Sequence, residues 1–297
     1  MNLTLRQLQI FCSIAQTGST SSAAEQVALS QSAASAALNE LERTLGANLF
    51  DRVGKRLVLN DNGRTVLPAA LALLDGAQSL EAGFQKGCSR LAASLRLHAS
   101  MTVGNYVLPP LLAQFKRNVP NASVQLLIGN TLDVVTAVSD FAVDLGFIEG
   151  PCHAADITVI PWRNDELVVV GAPAHSLTQA AHRAPLTIDQ LREAQWLLRE
   201  PGSGTREAVD TALLPHLQRL QVGMTLGSPE SIKHGVAEGA GLGCLSRSVV
   251  QDLVSTGRLR VLPTHLPRLT RQLAIIHHDK KLLSDSLRQF IEFCRAA

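Results

Sequence analysis

Hydrophobic residues in the first sixty positions recur at helical spacing and predict three short helices. The first helix covers residues 4–16 and places these apolar residues on one face: Leu5, Leu8, Phe11, Ile14 and Ala15. Ser19–Ser21 offer N-caps for a second helix, and Ser30 can cap a third helix that Gly46 ends. We expect the third helix to turn the following residues inward: Ala34, Ala37, Leu38, Leu41 and Leu45.

The pattern changes at residue 49. The segment LFDRVGKRLVLN has two strand-like runs around a turn at Gly54, which predicts a small hairpin. A long helix follows over 61–86, and some of its apolar residues have the spacing of a coiled-coil seam: Val66, Ala70, Leu73, Ala77, Leu80 and Phe84. This seam predicts dimerisation through the helix. Leu67, Leu71 and Leu74 widen the apolar stripe, so packing of the helix on its own domain is the alternative.

Apolar strand candidates alternate with helical stretches from residue 89 onward. They are SLRLHASM, SVQLLIG, VDLGFIE, ELVVVGAP, WLLRE, MTLG, GLGCLS, RLRVLP and RQLAIIHH. Strands that alternate with helices indicate open, mainly parallel sheets covered by helices. The length of this region suits two small α/β lobes.

Composition and charge limit the classes of protein that fit this pattern. The chain has 297 residues, of which 46% are hydrophobic and 18% are charged, as expected for a well-packed globular protein. The formal net charge is only +2, so nucleic-acid binding would need a local basic patch. The N-terminus lacks the apolar core of a signal peptide, and no apolar run is long enough to cross a bilayer. We therefore expect a cytoplasmic protein without a membrane partner.

The five cysteines lie far apart and form no CxxC pair: Cys12, Cys88, Cys152, Cys244 and Cys294. Their odd number and the lack of zinc-ligand spacing favour reduced, mostly buried thiols. Adjacent His277 and His278 would point to opposite faces of a strand, so no metal site is expected there. GAGLGCLS enters a strand and PGSGT lacks the G-x-S-x-G elbow, so the sequence predicts neither a cofactor nor an enzyme.

Residues 19–45 have the arrangement of a helix-turn-helix, a motif whose second helix enters the DNA major groove by its N-terminal end. Four polar residues share the face opposite Leu38 and Leu41: Gln31, Ser32, Ser35 and Asn39. Small side chains allow close approach to base edges, and serine and glutamine can bond bases or phosphates. The alternative is a helix of small residues that packs on a neighbouring element without nucleic acid.

The basic residues of this region lie beside the helix rather than on it. The hairpin and its flanks carry the following cations: Arg43, Arg52, Lys55, Arg56 and Arg64. Only Asp51 and Asp61 oppose them there. Cations of this kind contact phosphates and position a protein on DNA without reading its sequence.

The segment from Gly18 to Arg64 resembles the winged helix-turn-helix of the LysR-type transcriptional regulators. The matching positions extend through the whole segment: Ser19, Ala23, Ala24, Leu29, Ser30, Gln31, Ser35, Leu41, Glu42, Leu45, Gly46, Leu49, Phe50, Arg52 and Gly63. Ser32 stands where the family often has proline, and Asn60 stands where threonine is usual. Both substitutes suit helix starts or caps. The resemblance continues over essentially the whole chain.

This resemblance implies an α+β multidomain fold. A winged helix-turn-helix would cover 1–60, a linker and dimerisation helix 61–88, and a two-lobed effector domain similar to periplasmic binding proteins 89–297. Lobe I would comprise 90–161 with 268–297, and lobe II would comprise 162–267. The family also implies a homotetramer, built as a dimer of dimers, on double-stranded promoter DNA, with contact to RNA polymerase left open. The expected DNA-binding residues are Ser30, Gln31, Ser32, Ser35, Asn39, Arg43, Arg52, Lys55, Arg56 and Arg64.

Four loops carry hydroxyl or amide side chains between a strand end and a helix start: SMTVGN, GNTLD, REPGSGTRE and GSPESIK. Helix N-termini bind anions, and open α/β sheets bind ligands at the carboxyl ends of their strands. Ordinary helix capping explains each loop taken alone. Together, in a domain that resembles this family, they favour a small anionic effector bound by Ser100, Thr102, Asn130, Thr131, Arg199, Ser203, Thr205 and Lys233.

The identity of the anion depends on the resemblance alone. SMTVGNYVLP, IEGP and GSGTRE are similar to segments of a family branch linked to sulfur-oxyanion assimilation and carbon fixation. This implies sulfite or sulfate as the first choice and a small carboxylate or phosphorylated metabolite as the second. Two other classes compete: a solute-binding or enzymatic α/β protein with a structural helical N-terminus, and a DNA-packaging protein. The missing export signal argues against the first, and the near-neutral charge argues against the second.

Overall fold

A computed structural model of the chain describes residues 3–54, 56–85 and 94–297. Lys55 and Cys88 lie outside the described residues, as do the side chains of Leu80 and Phe84. The chain divides into two compact units. The first comprises the described residues up to Ser94 together with 121–123 and 278–292, and the second comprises 95–120, 124–277 and 293–297.

The first unit begins with three helices, a hairpin and a long helix, and these predicted elements are confirmed. Their bounds are α1 Leu5–Thr17, α2 Thr20–Gln26, α3 Gln31–Leu45, β1 Phe50–Val53, β2 Arg56–Leu59 and α4 Asp61–Gln85. Ser19 and Ser30 cap α2 and α3, because each side-chain oxygen accepts a hydrogen bond from the backbone N–H three residues further on. Gly18 and Gly46 end α1 and α3 with φ values of 65° and 70°, a conformation that favours glycine.

The inner face of α3 is shorter than the sequence predicts. Ala34, Leu38 and Leu41 are buried, as expected. Ala37 is only half-buried, and Leu45 is 40% exposed, so the prediction that Leu45 packs inward is wrong. Residues 43–46 are exposed throughout, because the last turn of α3 extends past the core on which the helix packs.

Two residues set the start of α4 after the hairpin. Asn60 caps the helix, since its side-chain oxygen accepts a hydrogen bond from the backbone N–H of Gly63 at 3.0 Å. Gly63 approaches the preceding chain so closely that a Cβ atom there would lie 2.2 Å from the carbonyl oxygen of Leu49. A glycine is therefore needed at this position by packing.

The apolar stripe of α4 is partly buried and partly exposed. Leu67, Ala70 and Leu71 are buried within the unit, where α4 packs against α1. Leu73 of the predicted seam is 55% exposed, and Val66 is half-buried. The first turns of α4 therefore pack on their own domain, as in the alternative interpretation, while Leu73 remains an exposed apolar position on the seam.

The rest of the described chain alternates between strands and helices. The strands are β3 Ser94–Ser100, β4 Ser123–Gly129, β5 Leu145–Glu149, β6 Ile157–Gly171, β7 Gln195–Arg199, β8 Gln221–Leu226, β9 Leu242–Ser246, β10 Arg260–Val261 and β11 Leu269–His278. The helices are α5 Leu108–Asn118, α6 Thr131–Ser139, α7 Ser176–Ala181, α8 Ile188–Glu193, α9 Gly204–Leu217, α10 Pro229–Ala237, α11 Arg247–Ser255 and α12 Asp285–Ala296, with a π-helical segment at Val103–Val107 before α5. Every apolar segment predicted as a strand contains or overlaps one of these strands.

The strands join in the order β4-β3-β5-β11-β6-β9-β7-β8, and β10 pairs with β6. Parallel pairing links β3 with β5, and β7 with both β8 and β9. The long strands β11 and β6 run antiparallel to β5 and β9 respectively. The expected parallel pairing therefore holds for β3 with β5 and for β7 with both neighbours, and the two strands at the centre of the order depart from it.

Apolar side chains from these elements form separate core clusters. One cluster surrounds the fully buried Trp196 and includes Leu213 and Leu217 of α9. Another includes Ile232 of α10 and is covered in part by Tyr106, from the π-helical segment. Along the described residues, no helix combines the length and the apolar character needed to span a membrane.

Candidate functional site

The outer face of α3 is a surface of small polar side chains. Ser30, Gln31, Ser32 and Asn39 are exposed, and Ser35 is half-buried. The hydroxyls of Ser30 and Ser32 lie 3.0 Å apart, and Gln31 Nε2 donates to the Thr20 hydroxyl, at the start of α2, over 3.4 Å. Ala36, which the sequence analysis did not single out, is exposed on the same face. The side chains of this face are short enough to allow close approach to a base edge.

The predicted cations around this face differ in how free their charges are. Arg52 and Arg56 are exposed on the hairpin and form no salt bridge within the described residues. Arg43 pairs with Glu40 on α3 at 2.6 Å, and Arg64 pairs with Asp61 at the start of α4. The hairpin arginines are thus the more available pair for phosphate contact.

One cation of this region was missed by the sequence analysis. Arg6, in the first turn of α1, donates from Nη2 to the carbonyl oxygen of Val27 at 2.5 Å. Val27 lies in the turn that leads to α3, where Ala28 has a φ of 53°. The exposed Arg6 side chain therefore contacts the turn between α2 and α3.

The helix starts of the second unit show the capping that the alternative interpretation expects. Asn130, Ser203 and Ser228 each accept a hydrogen bond from a backbone N–H in the first turn of α6, α9 and α10. Thr102 precedes the π-helical segment and makes no capping hydrogen bond. Capping by itself leaves the O–H group of Ser203 available as a donor.

A buried guanidinium joins several predicted site residues. Arg271 of β11 donates from Nη1 to the Thr205 hydroxyl at 2.8 Å and from Nη2 to the Thr102 hydroxyl at 3.2 Å. It also pairs with Glu149 of β5 at 2.6 Å and with Asp165 of β6 at 2.7 Å. Arg271 thus joins groups from β5, β6, α9 and the segment between β3 and the π-helical segment.

The hydroxyls of this cluster keep donor capacity. Because Thr102 and Thr205 accept from Arg271, their own O–H protons are free to point elsewhere. Ser100 is fully buried, and its Oγ has no hydrogen-bond partner among the described residues. Thr131 differs, since it donates to the Glu149 carbonyl at 3.3 Å and accepts from Gly204 N at 3.1 Å. Thr131 is therefore engaged within the chain.

The two predicted cations of the site are held by neighbouring carboxylates. Arg199 is 2% exposed, and its Nε and Nη2 donate hydrogen bonds to the two carboxylate oxygens of Glu200, each at 2.7 Å. The third guanidinium nitrogen, Nη1, is buried without a partner in the part of the chain that the structure describes. Lys233 pairs with Glu230 at 2.8 Å and with Asp252 at 3.0 Å, so two carboxylates oppose its single positive charge.

Lys233 also belongs to a contact with Tyr106. Its Nζ donates to the Tyr106 hydroxyl at 3.2 Å, and the same hydroxyl donates to Glu230. Burial and the hydrogen bond to Glu230 raise the pKa of Tyr106 to about 12. The structure therefore places Lys233 in a group of its own, and the hydrogen bonds of the Arg271 cluster do not include it.

The start of α9 lies in very close contact with the end of β5. A Cβ atom on Gly204 would fall 1.7 Å from the carbonyl oxygen of Glu149. A cavity of about 590 Å³ opens beside this contact and is lined in part by Thr131, Cys152 and Ser203. Of the eight predicted effector residues, only Thr131 and Ser203 line it.

Arg271, Glu149 and Asp165 are the residues of this cluster that sequence analysis missed. Each is a charged residue inside or next to an apolar strand segment, in RQLAIIHH, VDLGFIE and the run before LVVVG. A charged residue within a buried strand is rarely without a partner of opposite charge, so these three positions could have indicated a buried ion pair. Pairing the three required the strand order, because they are far apart in the sequence.

The four cysteines that the structure describes form no disulfide bond, and three of them are buried. Burial raises the pKa of Cys244 and of Cys294 to about 12, so neither is a reactive thiolate at neutral pH. No group of three His, Cys, Asp or Glu side chains in the described residues is arranged to hold a metal ion.

Family models match nearly all of the chain. Residues 5–64 match the helix-turn-helix domain described as a bacterial regulatory helix-turn-helix protein of the lysR family, and residues 89–297 match the LysR substrate binding domain. The chain belongs to the LysR family of transcriptional regulators. It is a DNA-binding regulator with an effector-binding domain, and the predicted winged helix-turn-helix, linker helix and two-lobed α/β architecture is confirmed for it.

Curated LysR-family relatives span the whole chain. It is 49% identical over 297 residues to the HTH-type transcriptional regulator YeiE of Escherichia coli K12, covering 100% of this chain and 99% of that protein. It is 32% identical to the RuBisCO operon transcriptional regulator of Allochromatium vinosum, covering 99% and 96% of the two chains. HTH-type transcriptional regulator CysL of Bacillus subtilis is 30% identical, with 91% and 89% covered. These relatives are named as regulators and not as enzymes.

Two solved LysR-type structures support the same fold. A full-length OxyR variant from Pseudomonas aeruginosa superposes with a TM-score of 0.73 at 26% identity, covering 100% of this chain and 94% of that one. The CcmR regulatory domain of Synechocystis PCC6803, in complex with 2-PG, gives a TM-score of 0.61 at 28% identity, covering 69% and 96%.

Proposed function

We propose that this LysR-type regulator responds to a small oxyanion, sulfite or sulfate first, that binds at the hydroxyls of Thr102 and Thr205. The observation that carries the proposal is the contact of both hydroxyls with one buried guanidinium, that of Arg271. Because both accept from Arg271, both can donate to the same anion. The unpartnered Ser100 Oγ adds a third donor two residues from Thr102.

Two other predicted residues support anion binding from α9. Ser203 caps this helix of fourteen residues, and a helix N-terminus favours negative charge. Buried Arg199 keeps one guanidinium nitrogen without a partner in the described structure. Asn130 and Thr131, the remaining loop residues, hold the start of α6, and Lys233 contributes positive charge that Glu230 and Asp252 already match.

A small carboxylate or a phosphorylated metabolite is the second candidate. The CcmR regulatory domain, 28% identical to this chain, is in complex with 2-PG, and this observation favours that class. Donors of the same kind would suit either class, since carboxylate, phosphate and sulfur oxyanions all accept hydrogen bonds through charged oxygens.

The boundaries that we propose are a DNA-binding domain over 1–60, a linker helix over 61–88, lobe I over 90–161 with 268–297, and lobe II over 162–267. With these boundaries Arg271 lies in lobe I and bonds Asp165 and Thr205 of lobe II. An anion at Thr102 and Thr205 would touch both lobes, so its binding would favour one lobe arrangement over another. In a cytoplasmic dimer of dimers, such a shift would change the spacing of the DNA-binding heads, with contact to RNA polymerase as a further route to transcription.

Thermal shift of the full-length protein tests the effector proposal. The ligands are sulfite, sulfate, phosphate and small carboxylates, and a ligand at a hundred times its Kd adds about 2.7 kcal/mol of stability. Replacement of Thr102 and Thr205 together by valine removes both hydroxyls with little change in shape and should abolish the shift. Thr136→Val, at an exposed position on α6, is the matched control and should keep it. No shift with any of these anions would sink the proposal.

A further inference from the structure

The buried cluster around Arg271 contains one cation and two carboxylates. Arg271 is 5% exposed, Glu149 is 1% exposed and Asp165 is 9% exposed. Both carboxyl groups lie within 2.7 Å of the guanidinium. With both ionised, the cluster holds one net negative charge in a place that water scarcely reaches, and an uncompensated buried charge is costly.

The two carboxylates are held unequally. Asp165 accepts from Arg271 Nε through Oδ2 at 2.7 Å and from the Ser246 hydroxyl through Oδ1 at 2.6 Å. Glu149 Oε2 lies 2.6 Å from Arg271 Nη2, yet it accepts no hydrogen bond in the described structure. The hydrogen bond from Nη2 goes to the Thr102 hydroxyl instead. Arg271 is therefore the only partner of Glu149 Oε2 among the described residues, whereas Asp165 also has the Ser246 hydroxyl.

The titratable groups on the two helices that pack against β5 are engaged with other partners. On α9, Arg206 pairs with Asp210 and Glu207 pairs with His153, and on α6 Asp133 accepts from the backbone N–H of Asn130.

Arg271 reaches Glu149 from β11, and Asp165 lies across Arg271 on β6. Cys244 of β9 is close enough to Arg271 to feel its charge, but burial raises the pKa of this thiol to about 12 and keeps it neutral. His98 of β3 is opposite Gly146, three residues before Glu149, so the pleat directs it to the other face.

We propose that anion binding at this site is coupled to the uptake of one proton by Glu149. The inference rests on the proposed function, in which the anion takes the hydroxyl protons of Thr102 and Thr205. An anion placed there adds to the surplus of negative charge beside Glu149. A proton from solvent then adds to Glu149 Oε2, and the new carboxyl O–H donates to an oxygen of the anion. No bond of the anion is broken.

The sign of the pH dependence follows from this balance. The complex holds one more proton than the free protein and free anion together, so the affinity falls as the pH rises. At one proton per anion the Kd increases by up to about tenfold per pH unit. With sulfate as the anion, the effector signal would thus be stronger under acidification, although sulfate itself does not titrate near neutral pH.

Isothermal titration calorimetry of the full-length protein tests the coupling. Sulfate is the main probe, because it carries no titrating proton near neutral pH, and sulfite is the second. Titrations at one pH in buffers of different ionisation enthalpy count the protons exchanged, and we expect close to one taken up per sulfate. Repeating them between about pH 6 and about pH 8.5 should show the predicted loss of affinity.

Glu149→Gln supplies an amide N–H in place of the carboxyl O–H and cannot take up the proton. We expect its affinity for sulfate to be independent of pH and, at the alkaline end, at least tenfold higher than that of the parent (about one pH unit of linkage). Glu238→Gln is the matched control, since Glu238 is exposed and pairs with Arg258 on the surface. It should behave like the parent.

The outcomes separate the two proposals. Binding without proton exchange, or uptake that persists in Glu149→Gln, overturns the coupling and leaves the effector site in place. If neither sulfate nor sulfite binds the parent at any pH, the sulfur-oxyanion proposal fails and the coupling fails with it. Thermal melting of each variant identifies a misfolded one, in which case the buffer series on the parent decides.

Discussion

Arg271 donates a hydrogen bond to the hydroxyl of Thr205 at 2.8 Å, and both groups are almost completely buried. The arginine comes from β11 and the threonine from the first turn of α9, sixty-six residues apart in the sequence. The bond links a central strand of the sheet to the helix start that the sequence marks as an anion site. Because of this link, we expect substitutions in the Arg271 cluster to change the stability of the second unit as well as effector binding.

Removal of the Arg271 side chain should destabilise the second unit strongly. Arg271→Ala leaves Glu149 and Asp165 buried without their cation, a loss of about 3–5 kcal/mol in the free energy of unfolding. Both tryptophans, Trp162 and Trp196, belong to this unit, so denaturant unfolding followed by tryptophan fluorescence reports on it directly.

Arg258→Ala is the control for that measurement. Arg258 pairs with Glu238 at 2.8 Å, with side-chain exposures of 51% and 74%. Exposed pairs contribute about 0–1 kcal/mol, so this variant should unfold close to the parent. Equal effects of the two substitutions would contradict the role given to Arg271.

The hairpin arginines should dominate the salt-dependent part of DNA binding. Double replacement of Arg52 and Arg56 by glutamate should weaken promoter binding by at least about a hundredfold and lower the slope of log K against log salt by about two. Fluorescence anisotropy with a promoter fragment at several salt concentrations measures both. Arg258→Glu, on the second unit, should leave both unchanged, and parent-like binding by the double variant would show that the hairpin does not contact phosphate.

Ser35→Trp tests the other half of the DNA interface. An indole on the small-residue face of α3 should block approach to the base edges and remove sequence preference before it removes salt-dependent binding. Competition between a specific promoter fragment and unrelated duplex measures the preference. Preference retained at the parent level would argue for the alternative, in which this face packs on protein.

Two glycines of α4 should respond oppositely to alanine. In Gly63→Ala the new Cβ would fall 2.2 Å from the Leu49 carbonyl oxygen, so we expect a loss of about 1–3 kcal/mol and weaker DNA binding. At Gly76 nothing lies within 4 Å of such a Cβ, and alanine there should add about 0.5–1 kcal/mol through helix propensity. Thermal melting by circular dichroism compares the two, and a stabilised Gly63→Ala would refute the close approach.

Tyr106 offers a direct test of the contact with Glu230 and Lys233. It is the only tyrosine in the chain, so the ultraviolet absorbance of tyrosinate reports on it alone. The native protein should titrate with a pKa of about 12, against 10.0 for an unperturbed tyrosine. Since the folded pKa is the higher one, the contribution of Tyr106 to stability should fall as the pH rises from about 10 to about 12. Tyr106→Phe removes the signal, and a native titration near 10 would contradict the burial.

Local signals in the sequence were sufficient for most of the secondary structure. The caps Ser19 and Ser30 and the stop Gly46 placed the helices of the first unit, because each of these residue types has a strong preference at a helix end. The predicted burial of Leu45 was wrong, because periodicity shows which face of a helix is apolar but does not show where the surface that it packs against ends.

The candidate effector site was predictable only in part. Thr102, Ser203 and Thr205 follow from helix starts, which are local features. Arg271 and its two carboxylates depend on which strands become neighbours, and the sequence contains no local signal for that pairing. The same limit applies to Lys233. Its positive charge suggested a bound anion, but in the structure carboxylates of α10 and α11 pair with it.

Gly204 sets a mechanical limit on the effector domain. The first residue of α9 lies so close to the end of β5 that any larger side chain would act as a wedge between helix and strand. A graded series from alanine to valine at this one position would prop the contact open by successive increments. Gly204 is therefore the position at which the distance between α9 and β5 could be changed by substitution, without any ligand.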